Sequence, residues 1–316
     1  MDVSVIIPAY NRGSKIRTTV DSVLRQTLPM SMCEIIIIDD GSTDGTFEFL
    51  HHVYGGHPQV RLIQQRNRGV AEARNHGLQE ARGKYIAFLD HDDHWLPTKL
   101  EAQLAAFQQH PHAGVVYCLW REVDESGHAL PDEEQTTRQA WWRPASGNVF
   151  NWLFARNPII SMSVPLIRRE MLEKVGGFDP ATVPSDDHDL WLRLARCCEF
   201  ACVPHELVLY THHLSQQTRT AARAPGMAAH ALRRVFRKHW MHLVFRPHMI
   251  WYLAGFRVFL KSAPLYQEAK QALSQKDRRR AWSLIRRLII VQPLALFTPQ
   301  WAVLILRLIT GAANRF

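Results

Sequence analysis

The sequence lacks a disulfide framework: its five cysteines, Cys33, Cys118, Cys197, Cys198 and Cys202, are odd in number and form no C-x-x-C pair. The spacing of Cys197, Cys198 and Cys202 does not match a zinc site either. No basic, apolar, small-residue leader pattern opens the chain, so reduced thiols in a cytoplasmic protein are expected. No G-x-G-x-x-G follows the first apolar run, which argues against a dinucleotide oxidoreductase. Gly77 and Gly83 are separated by five residues where a P-loop has four, and Tyr85 stands where Ser or Thr would meet Mg2+. There is no G-x-S-x-G elbow, internal repeat or low-complexity tract. With 47% apolar and 21% charged residues, disorder is excluded too.

Acidic side chains are nearly missing from one end. Residues 221–316 hold 17 Lys and Arg against two Asp and Glu, whereas residues 1–220 hold 21 against 27. Two regions are therefore expected, an acidic one over 1–220 and a basic helical one over 221–316. The basic region mixes its arginines with apolar faces such as Met249–Leu260, which suits an anionic membrane surface better than nucleic acid. Leu288–Leu306 is free of charge for 19 residues, but Gln292, Pro293, Pro299 and Gln300 interrupt it. That pattern favours interfacial helices over a membrane span.

The acidic region alternates apolar runs with amphipathic segments, the rhythm of an α/β fold with a single, mainly parallel central sheet flanked by helices. Strands are expected at Val3–Pro8, Glu34–Asp39, Val60–Gln65, Lys84–Asp90, Gly114–Leu119, Ile159–Ile167 and Phe200–Tyr210. Helices are expected at Ser14–Gln26, Thr43–Val53, Val70–Ala81, Pro97–Gln109 and His188–Cys197. Glu122–Gly147 is polar and aperiodic and reads as a long loop. Beyond Arg219, helical texture runs through His230–Phe245, Met249–Leu260, Tyr266–Leu273, Arg279–Val291 and Trp301–Thr310.

Acids cluster where strands end: Asp39-Asp40, then Asp90-His91-Asp92-Asp93, with Asp186-Asp187-His188-Asp189 opening a helix. Ligands of open α/β sheets sit outside the carboxyl ends of the strands, so the first two clusters should converge. Convergent carboxylates repel unless a cation lies between them, and hard oxygen ligands favour Mg2+ or Mn2+. Each cluster taken alone is equally a helix cap or turn. Asp40–Gly45 resembles the start of a calcium loop, but the twelfth position is His51, which offers no bidentate carboxylate.

The ordered segments Val5-Ile6-Ile7-Pro8-Ala9-Tyr10-Asn11, Ile38–Thr46, Asn67-Arg68-Gly69 with Ala73-Arg74-Asn75, Gly83–Asp93, Gly176-Gly177-Phe178-Asp179 and Asp187–Leu194 resemble the family 2 glycosyltransferases over residues 3–215. The resemblance implies a GT-A fold, to which the basic residues 221–316 are expected to add a C-terminal helical appendage. It implies an inverting, non-processive enzyme that moves a sugar from a nucleotide diphosphate sugar to an acceptor hydroxyl, and the basic tail makes a glycan or lipid-linked acceptor the expected one. Pro8, Ala9, Tyr10, Asn11, Asp39, Asp40, Arg74, Asp90 and His91 fall on the donor nucleotide side. By the same resemblance Asp92 would be the metal-binding acid, joined by His213, with Mn2+ or Mg2+ as the cofactor. Asp187 matches the general base, and Asp186 replaces the Glu that usually precedes it. Trp95, Gly177, Phe178 and Asp186 fall on the acceptor side.

The basic tail would place such an enzyme in the cytoplasm, peripheral on the inner face of the membrane. A sugar-phosphate nucleotidyltransferase would need a Gly-rich, Arg-containing loop after the first strand, which Pro8–Gly13 is not. A non-catalytic, membrane-associated interaction protein is the other alternative, and the complete set of acids speaks against it.

Overall fold

The computed structural model of the chain describes residues 2–131, 144–155, 159, 161–213, 225–239, 242, 268–269, 272, 275 and 277–291. The leading apolar runs form β1 (Val3–Ala9), β2 (Cys33–Asp39), β3 (Val60–Gln64) and β4 (Tyr85–Phe88). Every residue of β1 and β2 is buried, as parallel strands inside a helix-covered sheet are. Between these strands in the chain come α1 (Ile16–Leu24), α2 (Thr46–Tyr54) and α3 (Val70–Glu80), and after them α4 (Lys99–Gln109). The α1 helix buries Ile16, Val20 and Val23 at helical spacing. The α3 helix lies so close to the sheet that a Cβ added at Gly77 would stand 2.3 Å from Ile6 Cγ2.

The sheet is completed by β5 (His94–Trp95), β6 (Ala113–Val123), β7 (Leu166–Arg168) and β8 (Glu199–Thr211). Its order is β3-β2-β1-β4-β7-β6-β8-β5. The pairs β1–β2, β1–β4 and β2–β3 are parallel. The β7 strand is antiparallel to both β4 and β6, and β8 is parallel to β6. The two reversals around β7 cancel, so β6 and β8 point the same way as β1, β2 and β4. One edge of the sheet therefore gathers the carboxyl ends of β1, β2, β4 and β8 together with the amino end of β7. The order reverses between β1 and β4, where open α/β sheets place their ligand crevice.

The structure corrects several expected elements. The strand over Ile159–Ile167 shrinks to β7, because Ser161 and Ser163 turn to hydrogen-bond Asp93 at 2.9 and 2.6 Å. The polar loop begins at Asp124 rather than Glu122, since Glu122 is buried in β6 and pairs with His212 Nε2 at 2.7 Å. Asp124 then closes a turn, its Oδ1 accepting from the Ser126 and His128 N–H groups at 2.8 and 2.9 Å. The part of that loop over 132–143 is outside the described residues. Three short elements were not anticipated: β5, α5 (Phe150–Ala155) and α6 (Arg169–Val175). Helix α7 (Asp186–Leu194) begins two residues before the expected His188. All five cysteines are free thiols.

The chain divides into compact units Met1–His213 and Leu214–Phe316. The second holds α8 (Pro225–His239) and α9 (Arg278–Val291). In α8, Ala231, Val235 and His239 are buried at four-residue spacing, while Arg233, Arg234, Arg237 and Lys238 are exposed. Among the described residues no helix is long and apolar enough to cross a membrane. The expected helices at Met249–Leu260 and Trp301–Thr310, and most of Tyr266–Leu273 and Leu288–Leu306, lie outside the described residues.

Candidate active site at the carboxyl edge of the sheet

The exits of β1 and β2 are stitched to each other. Asn11, at φ +47°, accepts the Thr43 N–H on its Oδ1 at 2.8 Å and donates its own N–H to Ser42 Oγ at 3.0 Å. Beside this seam Tyr10 is 45% exposed, an aromatic face left open at the strand end. The Pro8 carbonyl is 3.1 Å from His91 Nδ1, which ties β1 to the turn after β4. Ala9 is buried, and its carbonyl accepts the Asp40 N–H at 2.8 Å.

The two acids after β2 behave differently. Asp40 is consumed by its own loop: Oδ1 accepts from Gln65 Nε2 and the Arg68 N–H at 2.7 and 2.9 Å, and Oδ2 from the Gly69 N–H at 2.8 Å. Asp39 accepts on Oδ2 from Gln64 Nε2 and the Ser42 N–H at 3.1 and 3.2 Å, but its buried Oδ1 has no hydrogen-bond partner among the described residues. A buried carboxylate oxygen without a donor is costly, so Asp39 is the acid of this pair poised to receive one from a ligand.

After β4 the chain turns, with the Asp93 N–H donating to the Asp90 carbonyl at 3.0 Å. Asp92 Oδ2 meets His213 Nε2 at 2.6 Å. Burial works to raise the Asp92 carboxyl, but the His213 hydrogen bond and the charge of His91 outweigh it and hold it below the ordinary carboxylate range. Asp93 is the opposite case: full burial, then the charges of Asp92 and Asp90, push it well above that range.

Arg74 of α3 joins this cluster to α7. It is 7% exposed, donating to Asp90 Oδ1 at 2.6 Å and to Asp186 Oδ2 at 3.0 Å, with its guanidinium 5.3 Å from the Phe178 ring centre. Burial opposes its charge, yet Asp90 and Asp186 more than compensate and keep it protonated. Arg74 is thus engaged inside the protein by the carboxylates on either side of it. Burial raises Asp186 despite Arg74. Asp187 follows in the first turn of α7, half-buried, with its Oδ1 accepting the His188 N–H at 2.6 Å. Carboxylates in a first helical turn are favoured by the helix dipole. Asp189 is buried and pairs instead with Arg193 at 2.8 Å.

The Gly-Gly-Phe segment is held from two sides. Asn75 exchanges hydrogen bonds with the Phe178 backbone at 2.7 and 2.9 Å, so close that a Cβ on Gly177 would lie 2.2 Å from Asn75 Oδ1. Arg193 collects the carbonyls of Val175, Gly176 and Gly177 at 2.8–2.9 Å. Phe178 is itself buried, edge-on to Phe88 at 5.1 Å. Trp95, expected on the acceptor side, is only 3% exposed: its Nε1 donates to the Ser163 carbonyl at 2.9 Å, and Lys99 Nζ lies 3.9 Å over its ring. It meets the acid cluster through Ser163, whose Oγ bonds Asp93. Burial lowers the Lys99 ammonium to about 8.

Asp92 and His213 offer one carboxylate and one imidazole, and among the described residues no group of three or more His, Cys, Asp or Glu forms a metal cage. This donor set fits Mg2+ or Mn2+, which bind through one or two carboxylates and take their remaining ligands from water and substrate phosphate. Asp93, Ser161, Ser163 and Thr211 form a hydrogen-bonded group beside these acids that the sequence motifs do not mark as a set. Asp93 alone carried a signal, as the last acid of its cluster.

Comparison with known proteins identifies the family and the fold. The profile of Glycosyl transferase family 2 matches residues 4–176. An uncharacterised glycosyltransferase of Rickettsia prowazekii is 28% identical over 287 residues, covering 88% of this chain and 85% of its own length. The fold is similar to that of Staphylococcus aureus TarS residues 1–349 in complex with UDP-GlcNAc, with a TM-score of 0.58, 17% identity and 90% of each chain covered. It is similar too to the mannosyltransferase PcManGT of Pyrobaculum calidifontis in complex with GDP-Man and Mn2+, with a TM-score of 0.61, 21% identity, and 98% of this chain and 88% of that chain covered.

Proposed function

The chain belongs to glycosyl transferase family 2 and is a glycosyltransferase, and from that membership we propose that it moves a sugar from a nucleotide diphosphate sugar to an acceptor hydroxyl with inversion at the anomeric carbon. The observation that carries this reading is the Arg74 bridge, which ties Asp90 of the β4 turn to Asp186, the neighbour of Asp187. It supports a donor-side acid and a base held at one edge of the sheet.

In this reading the base and ribose of the donor meet Tyr10, the open oxygen of Asp39, and Asp90. Asp92 and His213 would hold the divalent ion that accompanies the diphosphate. When bound, the ion neutralises charge developing on the leaving diphosphate. Asp187 takes the proton of the acceptor hydroxyl as it attacks the face opposite the leaving group, which inverts the configuration. Bound GDP-Man with Mn2+ in the Pyrobaculum enzyme and bound UDP-GlcNAc in TarS support a nucleotide sugar donor here. Nucleoside diphosphate release from a panel of UDP-, GDP- and dTDP-sugars with Mn2+ tests the proposal. Release from one donor class, absent in EDTA, is expected; release from none by folded protein contradicts it.

The acceptor in this proposal is a lipid-linked or cell-surface glycan, reached from the inner face of the membrane through residues 221–316. The exposed Arg233, Arg234, Arg237 and Lys238 of α8, and Arg279, Arg280 and Trp282 of α9, support that contact. Basic residues near an anionic surface contribute about 1 kcal/mol each. The full chain should sediment with anionic vesicles and a chain ending at Thr220 should not; equal sedimentation of the two, or none by the full chain, would sink the membrane role.

A further inference from the structure

Asp93 is fully enclosed, and the chemistry proposed above gives it no part. Its Oδ2 accepts from Ser161 Oγ at 2.9 Å and Ser163 Oγ at 2.6 Å, and its Oδ1 accepts the Thr211 N–H at 3.1 Å. Each partner leads to a residue of the donor site. Ser163 Oγ accepts the Asp90 N–H at 3.0 Å, and Ser161 Oγ lies 3.3 Å from Asp90 Oδ2. Thr211 ends β8, and two residues later His213 reaches Asp92 at 2.6 Å. One buried carboxylate thus fastens the turn after β4, the segment before β7 and the end of β8.

Resting on the reading of Asp92 and His213 as ligands of the ion that accompanies the diphosphate, we infer that Asp93 is a positioning residue for that pair. It anchors the end of β8 against the β4 turn, so that the imidazole and the carboxylate face each other before any ion arrives. Ligands already in place need no ordering when the ion binds. Removing a group that orients metal ligands typically costs about 10–100-fold in metal affinity.

The test is thermal stabilisation of the full chain by UDP and by GDP as a function of Mn2+ concentration, in the parent, Asp93→Asn and Asp92→Ala. Asp93→Asn keeps the size of the side chain but loses one of its two acceptor oxygens. It should reach the parent's plateau at a Mn2+ concentration about 10–100-fold higher, while Asp92→Ala should show no Mn2+ response. A parent-like midpoint in folded Asp93→Asn overturns the inference and leaves the metal reading standing. A lower plateau at an unchanged midpoint overturns it too, since general loosening of the site would do that. If Asp93→Asn does not fold, Thr211→Pro removes the N–H that Asp93 accepts and leaves every carboxylate in place; the same midpoint shift is expected, and its absence overturns the role. A parent that binds UDP or GDP in EDTA and gains nothing from Mn2+ overturns the metal reading itself, and this role with it.

Discussion

Asp187→Asn should lower turnover by about a hundredfold to ten-thousandfold, the usual contribution of a general base, with nucleotide binding unchanged. The amide has nearly the shape of the carboxylate and can still accept the His188 N–H that Asp187 Oδ1 holds at 2.6 Å. What it loses is the capacity to take a proton from the acceptor hydroxyl. The effect should therefore fall on kcat, with the thermal shift produced by nucleoside diphosphate and Mn2+ equal to the parent's. Parent-like turnover would remove Asp187 from the mechanism. Lost turnover accompanied by lost nucleotide binding would make it a donor contact.

Arg74→Met should destabilise the protein by about 3–5 kcal/mol, the cost of leaving buried carboxylates without their cation. The Arg74 side chain is 8% exposed, and the Asp90 and Asp186 side chains it joins are 25% and 5% exposed. Methionine fills most of the volume, so the loss isolates the charge. Its pH dependence has a definite sign. Burial already raises Asp186 in the parent, and removing Arg74 takes away a force that opposes that rise. A carboxyl raised in the folded state binds its proton more readily there than in the unfolded chain, so folding gains as pH falls through the raised value. Urea midpoints of Arg74→Met should thus lie closer to the parent's at pH 5 than at pH 8. A deficit that grows on acidification, or none at all, would contradict the bridge.

Why some of this was visible in the sequence and some was not follows from how each residue is held. β1 and β2 are mainly aliphatic, with Ser4 and Pro8 in the first and Glu34 in the second, and they stop at Ala9 and Asp39; an aliphatic run that ends in an acid, as β2 does, marks both the strand and its carboxyl end. Parallel register then brings the acids to one edge, as Ala9 opposite Asp39 shows. The network around Asp93 has no such mark. Its partners lie 68, 70 and 118 residues away in the chain and are two serines and a backbone N–H, contacts that leave no period in the sequence. The same holds for Trp95, whose burial depends on the Ser163 carbonyl and Lys99. The motif also could not apportion Asp39 and Asp40. Only the loop from Gln65 to Gly69 shows that Asp40 is already engaged and Asp39 retains an open oxygen. The β5 and β7 strands, of two and three residues, are too short for any alternation to register.

The central claim, that the acids at this sheet edge bind a nucleotide diphosphate through a divalent ion, is tested most directly by a thermal-shift panel of UDP, GDP and dTDP with and without Mn2+, on the parent and on Asp92→Ala. One nucleotide should stabilise the parent in a Mn2+-dependent way, by about 2.7 kcal/mol at a hundred times its Kd, and the variant should lose that dependence. Folded parent protein stabilised by none of the three, or Asp92→Ala responding to Mn2+ as the parent does, would contradict the account.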